Sequence, residues 1–216
     1  MQPCFLWKWL AKGYYWAADL LYHPFAWAYD GVAWLVSFGY WSQWRKDSLS
    51  YLVPGVILET GFGTGSLLIE MAERGLDVTG LEPSTQMHRV TGRKLARKRI
   101  IVKRVQGITQ TIPFPKGTFA NVLSTFPTDY VVDPETLREI HRVLESKGRW
   151  VMVGLGVRFN ARWKQKLGGW LLGNWKNDRM QAYIQKLRSA GFSVEIVEHE
   201  TYAYLLPILI AERCDG

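Results

Sequence analysis

Val56-Ile57-Leu58-Glu59-Thr60-Gly61-Phe62-Gly63-Thr64-Gly65 reads as a buried strand that runs into a glycine-rich turn, and the residues after it read as a helix. Glycine at the alternate positions 61, 63 and 65 lets the backbone turn sharply and lets a ligand come close, because no Cβ stands in the way and positive φ carries little cost. In the helix, Leu67, Leu68, Met71 and Ala72 share one face, and Gly75 stands where a C-terminal cap belongs. Strand, glycine turn and helix N-terminus together predict a cofactor site.

Spacing narrows the cofactor. The dinucleotide fingerprint G-x-G-x-x-G needs glycine at position 66, and that residue is Ser66. What remains is E-x-G-x-G-x-G, followed by a second apolar run, Val78-Thr79-Gly80-Leu81, that ends in Glu82. An acidic side chain at the end of the second strand can accept hydrogen bonds from both hydroxyls of a ribose. A nucleoside without phosphates needs no phosphate cradle, and the pattern fits such a ligand.

From position 50 strands and helices alternate. The pattern predicts strands at 55–60, 77–82, 100–106, 119–125, 149–155, 193–198 and 207–213, with helices at 65–75, 84–98, 134–146 and 179–190. Asp133-Pro134 supplies a cap and a first-turn proline, while Gly148 and Gly191 are expected just past helix ends. Alternating β and α elements imply an α/β fold with a doubly wound, mainly parallel sheet covered on both faces. The last two strands are joined by a short link, so they are expected to form an antiparallel hairpin.

These ordered segments resemble the class I S-adenosylmethionine-dependent methyltransferases, in particular the branch acting on small molecules, quinones and lipids. The resemblance rests on ETGFGTG (59–65), GLEPS (80–84), IPFPKGTFANVLSTF (112–126) and LREIHRVLESKGRWVMVG (137–154), and spans roughly residues 50 to 213. It implies a Rossmann-like domain with an antiparallel C-terminal strand. It also implies S-adenosylmethionine as cofactor, with Glu59, Gly61, Gly63 and Gly65 around its methionine part and Glu82 on its ribose. Pro83, Met87, Gly107, Ile108, Thr109 and Thr125 complete the cofactor-binding set that the resemblance implies. Gly107-Ile108-Thr109 stands where the family often has Gly-Asp-Ala, so the usual carboxylate near the adenine amino group is absent. Phe119-Ala120 likewise replaces the usual Phe-Asp.

The chain has 216 residues, enough for one such domain (49–216) preceded by an N-terminal aromatic helical extension (1–48) that acts as a lid or a membrane-surface element. Two cysteines, Cys4 and Cys214, have no further ligands around them, which fits a reducing, cytoplasmic setting without a disulfide framework or a metal site. A net charge of +8 points to an anionic partner, either nucleic acid or an anionic membrane surface. Eleven tryptophans exceed what a core of this size needs, and indole favours membrane interfaces. The uncharged run from Gly31 to Trp44 is too short to span a bilayer, so the chain is expected to lie on a membrane without crossing it.

Residues 5–22 carry apolar groups at helical spacing, and Pro24 breaks the run. Residues 25–41 predict a second helix, apolar nearly all round, with Phe25, Tyr29, Val32 and Val36 on one stripe and Trp27, Trp34, Phe38 and Trp41 on another. One stripe can pack on the domain; the other needs an acyl chain, a bilayer or a second copy of the chain. Arg45 and Lys46 follow, placed to reach phosphate headgroups. Between the fifth strand and the last helix, residues 156–177 form a basic amphipathic insertion with Trp163 and Trp170, read as an interfacial segment or a lid. A further basic run, Arg89 to Arg104, is a solvated helix face or a track for lipid or RNA phosphates.

Methyl transfer from a sulfonium is an in-line displacement that needs no metal, and alignment of the reactants supplies most of the catalysis. Candidate catalytic residues are therefore few. By the resemblance, Tyr29, paired with Asp30, closes over the methyl donor. Asp129, in the loop Phe126-Pro127-Thr128-Asp129-Tyr130 after the fourth strand, can position an amine or take a proton, and His23 is a candidate base. The expected function is a methyltransferase for an apolar small-molecule or lipid acceptor met at a membrane surface. One alternative is a nucleic-acid methyltransferase, disfavoured because the strand-four loop lacks the Asn/Asp-Pro-Pro-aromatic arrangement that holds a flipped base. The other is a non-catalytic membrane or partner-binding protein on the same fold.

Overall fold

The computed structural model describes residues 29–163 and 178–215. The predicted helix at 5–22, His23, Cys4 and positions 164–177 of the insertion lie outside them. The chain enters through two short helices, α1 (Tyr29–Val36) and α2 (Trp41–Asp47). Then come β1 (Ile57–Thr60), α3 (Ser66–Glu73), β2 (Val78–Glu82), α4 (Thr85–Lys98), β3 (Lys103–Gln106), β4 (Phe119–Thr125), α5 (Pro134–Val143) and β5 (Leu144–Val153). The two-residue β6 (Arg158–Phe159), α6 (Asp178–Ser189), β7 (Phe192–Glu200) and β8 (Tyr204–Arg213) complete it.

One sheet runs in the order β3-β2-β1-β4-β5-β8, with β7 beyond β8 and β6 on the opposite edge of β8 at Tyr204 and Leu205. The pairs from β3 to β5 are parallel, while β8 is antiparallel to β5, β6 and β7. β8 alone therefore runs against the rest, as the short link before it predicts.

Neighbouring strand residues feed opposite layers. Leu58, Val122 and Trp150 join one core with Ile140 of α5 and Leu187 of α6, whereas Ile57, Leu123 and Val151 join the other with Leu67 and Met71 of α3. This is the period-2 alternation of a sheet covered on both faces, and it buries the inner strands β1, β2 and β4 at nearly every residue while the edge strand β3 stays partly exposed. Trp44 of α2 is fully buried in the second layer, so the second entry helix is built into the core.

Three local expectations are corrected. The predicted continuous helix at 25–41 is broken: Phe38 and Gly39 take left-handed φ of 53° and 85°, and α2 starts anew at Trp41, whose N–H is accepted by Ser37 Oγ at 3.0 Å. Apolar periodicity cannot register such a break, because both halves keep their pattern. The helix predicted at 134–146 ends at Val143, and β5 starts at Leu144, which pairs with Phe119 before the register shifts. Gly148 is consequently a strand residue, with Glu145 O and Ala120 O 3.0 and 3.1 Å from where a Cβ would stand. Among the described residues no helix is long and apolar enough to cross a membrane.

Candidate functional site

The turn after β1 holds Gly61, Gly63 and Gly65 at φ of 67°, 53° and 70°. Their duties differ. A Cβ at Gly63 would meet nothing within 4 Å, and one at Gly61 would meet only Tyr130 Oη at 3.5 Å, so both leave open space above the backbone. A Cβ at Gly65 would lie 2.3 Å from Thr91 Cγ2 of α4. Gly65 is thus also a packing residue, held against Thr91 of α4 at the start of α3. Thr91 itself donates to Gly63 O at 3.0 Å.

Glu82, at the end of β2, braces the same turn. One carboxylate oxygen accepts the N–H of Gly63 at 3.0 Å and the other accepts the N–H of Ser84 at 2.9 Å. Burial pushes its carboxyl above the ordinary range, and the two N–H bonds and nearby His88 pull it back. Each oxygen keeps a second lone pair, which is what a ribose hydroxyl would use.

Glu59 is the more exposed chemically although it is buried sterically. Its Oε2 is shut away from solvent without a hydrogen-bond donor among the described residues. Burial pushes its carboxyl up to about 8, against the pull of Arg45 and with the repulsion of Glu82. A buried acceptor without a donor is costly unless a ligand supplies one. A cationic amino group fits that need, so the residues present suit the methionine end of S-adenosylmethionine.

The N-terminal part of α1 is fastened onto this turn. Asp30 accepts from Thr64 Oγ1 at 2.8 Å, from Ser66 Oγ at 3.4 Å and from Lys94 Nζ at 2.6 Å. Burial opposes its ionisation, yet the bonds from Lys94 and Thr64 and the charges of Lys94 and Arg45 prevail and hold it below the usual carboxylate range.

Above the carboxyl ends of β4 and β5 stands an aromatic wall. Trp41 of α2 stacks on Phe126 at 3.7 Å between ring centroids, and Trp44 touches Phe126, Phe159 and Tyr204. Phe126 takes a left-handed φ of 50° and fills the space over Gly154, where a Cβ would be 2.2 Å from its ring. A buried relay, Trp150 Nε1 to Ser124 Oγ at 2.9 Å and Ser124 Oγ to Thr60 Oγ1 at 2.6 Å, ends at Tyr130 Oη, 3.4 Å from Thr60 Oγ1. It sets Tyr130 beside Gly61, at the boundary between turn and wall.

The other predicted residues fall as follows. Pro83 is exposed and Met87 fully buried at the start of α4; Gly107 and Ile108 lie beyond β3, with Ile108 exposed and Thr109 buried; Thr125 ends β4 half-buried. Asp129 is exposed at the start of the 3-10 turn Asp129–Val132. Tyr29 opens α1, but its side chain, like all of His23, is outside what is described. Arg45 departs from expectation: its Nε is buried and its charge acts on Glu59 and Asp30, while Lys46 alone of the pair lies beside the α3 surface, 3.3 Å from Glu70. Phe38 departs too, packing edge-on against Phe159 and Trp163 at 5.3 and 5.4 Å. Phe126 opens the strand-four loop that the sequence offers as an acceptor wall, whereas Thr91, Lys94 and Trp41 are not legible there, since each acts through a contact distant in sequence.

A family model described as a methyltransferase domain matches residues 57–148. A demethylmenaquinone methyltransferase of Thermotoga maritima is 29% identical over 161 residues, 72% of this chain and 69% of that protein. In two further curated relatives the match covers 57% and 59% of their length, less than two thirds. Among solved structures, a putative S-adenosylmethionine-dependent methyltransferase of Methanococcus maripaludis superposes with a TM-score of 0.65 at 20% identity, covering 88% of this chain and 93% of that one. Geranyl diphosphate C-methyltransferase of Streptomyces coelicolor, crystallised with Mg2+, geranyl diphosphate and S-adenosyl-L-homocysteine, gives 0.60 at 17% identity, covering 80% and 79%.

Proposed function

Because the chain belongs to the class I S-adenosylmethionine-dependent methyltransferase family, we propose that it methylates an apolar small molecule or lipid, a quinone precursor in the first instance, at a membrane surface. The observation that carries this reading is the half-buried stacked pair Trp41 and Phe126, backed by the buried Trp44 and Tyr204, above the carboxyl ends of β4 and β5. In open α/β sheets ligands bind at that edge. The half-buried aromatic surface there suits an apolar ring, and two relatives bear the names demethylmenaquinone methyltransferase and ubiquinone/menaquinone biosynthesis C-methyltransferase.

When bound, S-adenosylmethionine supplies an electrophilic methyl group. The chain's own residues position and exclude. Glu59 offers its free carboxylate oxygen to an ammonium, and Gly61 and Gly63 leave room for the ligand's backbone-side atoms. Glu82 holds the turn in shape and retains lone pairs for ribose hydroxyls. Asp30 ties α1 across the turn, and the aromatic wall keeps water from the acceptor's face. Tyr29, Asp129 and His23 remain proposed for closing over the methyl donor and for handling the acceptor's proton.

Calorimetric titration with S-adenosylhomocysteine, followed by transfer of labelled methyl from S-adenosylmethionine to a short-chain demethylated hydroquinone, tests the proposal. Micromolar binding and a methylated ring product are expected. Binding without transfer to hydroquinones, but with transfer to RNA, would overturn the acceptor assignment.

A further inference from the structure

A cleft of about 610 Å³ lies between α2, α3 and α4, its lining dominated by charged side chains of those helices and including Ser66 and Ile69. Five cationic side chains, Lys46, Arg74, Lys94, Arg97 and Lys98, line it with two carboxylates, Glu70 and Glu73, and a third carboxylate, Asp30, pairs with Lys94 from α1. Glu70 is shared by Lys46 and Arg74 at 3.3 and 2.6 Å, Glu73 takes Lys98 at 2.6 Å, and Asp30 takes Lys94 at 2.6 Å. The cleft keeps an excess of two positive charges, and among the described residues Arg97 has no ion-pair partner. Such a surplus, held in a concave wall by fixed helices, is built for an anion with several oxygens.

The neighbouring helix says which anion. Asp30, on α1, bonds Lys94 and Ser66 of the cleft wall, and side chains four residues apart share a helix face. Trp34, on that same face, is 62% exposed, and the adjacent Leu35 and Val32 are 68% and 39% exposed. A free phosphate or a nucleic-acid backbone gives no reason for a tryptophan and a leucine to stand in water beside the anion site. A lipid surface does, because indole settles at the headgroup level and aliphatic chains below it.

We propose that the cleft between α2, α3 and α4 receives the phosphate headgroup of an anionic membrane lipid, while Trp34 and Leu35 of α1 enter the interface beside it. The inference rests on the membrane-surface reading above and names the contact that would carry it. Its consequence is mechanical. Lys94 lines the cleft and also pairs with Asp30, which fastens α1 over the glycine turn, so a docked surface lies one ion pair from the cofactor turn.

The test is sedimentation of the full chain with vesicles of phosphatidylglycerol and phosphatidylcholine in equal parts, against phosphatidylcholine alone. Binding to the first and not the second is expected. The double variant Arg74→Gln/Arg97→Gln should lose roughly 30-fold in affinity for the anionic vesicles, taking each cation near the surface at its usual worth. Trp34→Ser should weaken binding as well, and both variants should keep wild-type affinity for S-adenosylhomocysteine, which certifies folding. Full vesicle binding by the double variant would overturn the cleft alone and leave the membrane reading standing. No binding of the wild type to either vesicle would overturn both. Equal binding to both vesicle types would overturn the headgroup site.

Discussion

Asp30 in α1 and Thr64 in the glycine turn, 34 residues apart in the chain, are joined by a hydrogen bond of 2.8 Å. The bond makes the entry helix part of the site's roof. Lys94 closes the arrangement from α4, so three elements meet at one carboxylate. Replacing Asp30 by Asn keeps the shape and removes the charge. Affinity for S-adenosylhomocysteine should fall about tenfold, the worth of one charge-assisted bond, and calorimetry reads it directly. An unchanged affinity would show that α1 does not roof the site.

Glu59 predicts a pH dependence. An unfolded glutamate releases its proton near 4.5, whereas burial holds the folded one up to about 8. The folded state therefore binds the extra proton in that window. Its stabilising effect is complete below about 4.5 and is lost as pH rises through about 8. Glu59→Gln should flatten the fall of Tm across the window and raise Tm at pH 8 by at least about 4 °C. Binding of an ammonium next to the carboxylate should also expel the proton. Calorimetry at pH 7 in buffers of different ionisation enthalpy should find up to about one proton released per S-adenosylhomocysteine in the wild type and none in the variant.

Gly63 and Gly65 should separate binding from stability. Gly63→Ala puts a methyl group into open space at φ of 53°, so it should cost about 1 kcal/mol of stability while severely reducing cofactor binding. Gly65→Ala drives a methyl group to 2.3 Å from Thr91, and should cost about 3 kcal/mol or more in denaturant unfolding. The reverse ranking would contradict the division of labour in the turn.

Glu82→Ala removes the acceptor for two backbone N–H groups as well as the proposed ribose contact. Cofactor affinity should drop at least tenfold and stability by about 2 kcal/mol. Retained affinity in a variant that is destabilised to that extent would leave Glu82 as a brace only.

Trp41→Leu removes the partner of Phe126 from the aromatic wall. A stack of this kind adds about 1 kcal/mol beyond its buried area, so KM for an apolar hydroquinone should rise about fivefold. The Kd of S-adenosylhomocysteine should stay put, which steady-state kinetics paired with titration will separate.

Much of this protein is legible in its sequence, for a definable reason. The order of strands and helices from Ile57 to Arg213, the glycine turn, and the acidic residues Glu59 and Glu82 all sit in patterns of local period or fixed spacing. The break at Phe38 and the start of β5 at Leu144 were missed because a left-handed φ at Phe38 and a register shift opposite Phe119 leave no mark on apolar periodicity.

The sequence by itself determined the sheet, its two covered faces, its reversed last strand and the place of the cofactor turn, because each depends on residues a few positions apart. Only the tertiary structure decided which residues distant in the chain meet around that turn. It turned Arg45 inward toward Glu59, gave Gly65 to Thr91, drew Asp30 onto Thr64 and Lys94, and split the N-terminal aromatic residues between a buried wall and the exposed Trp34. Those choices are set by which surfaces meet when distant helices pack, and no spacing along the chain encodes that meeting.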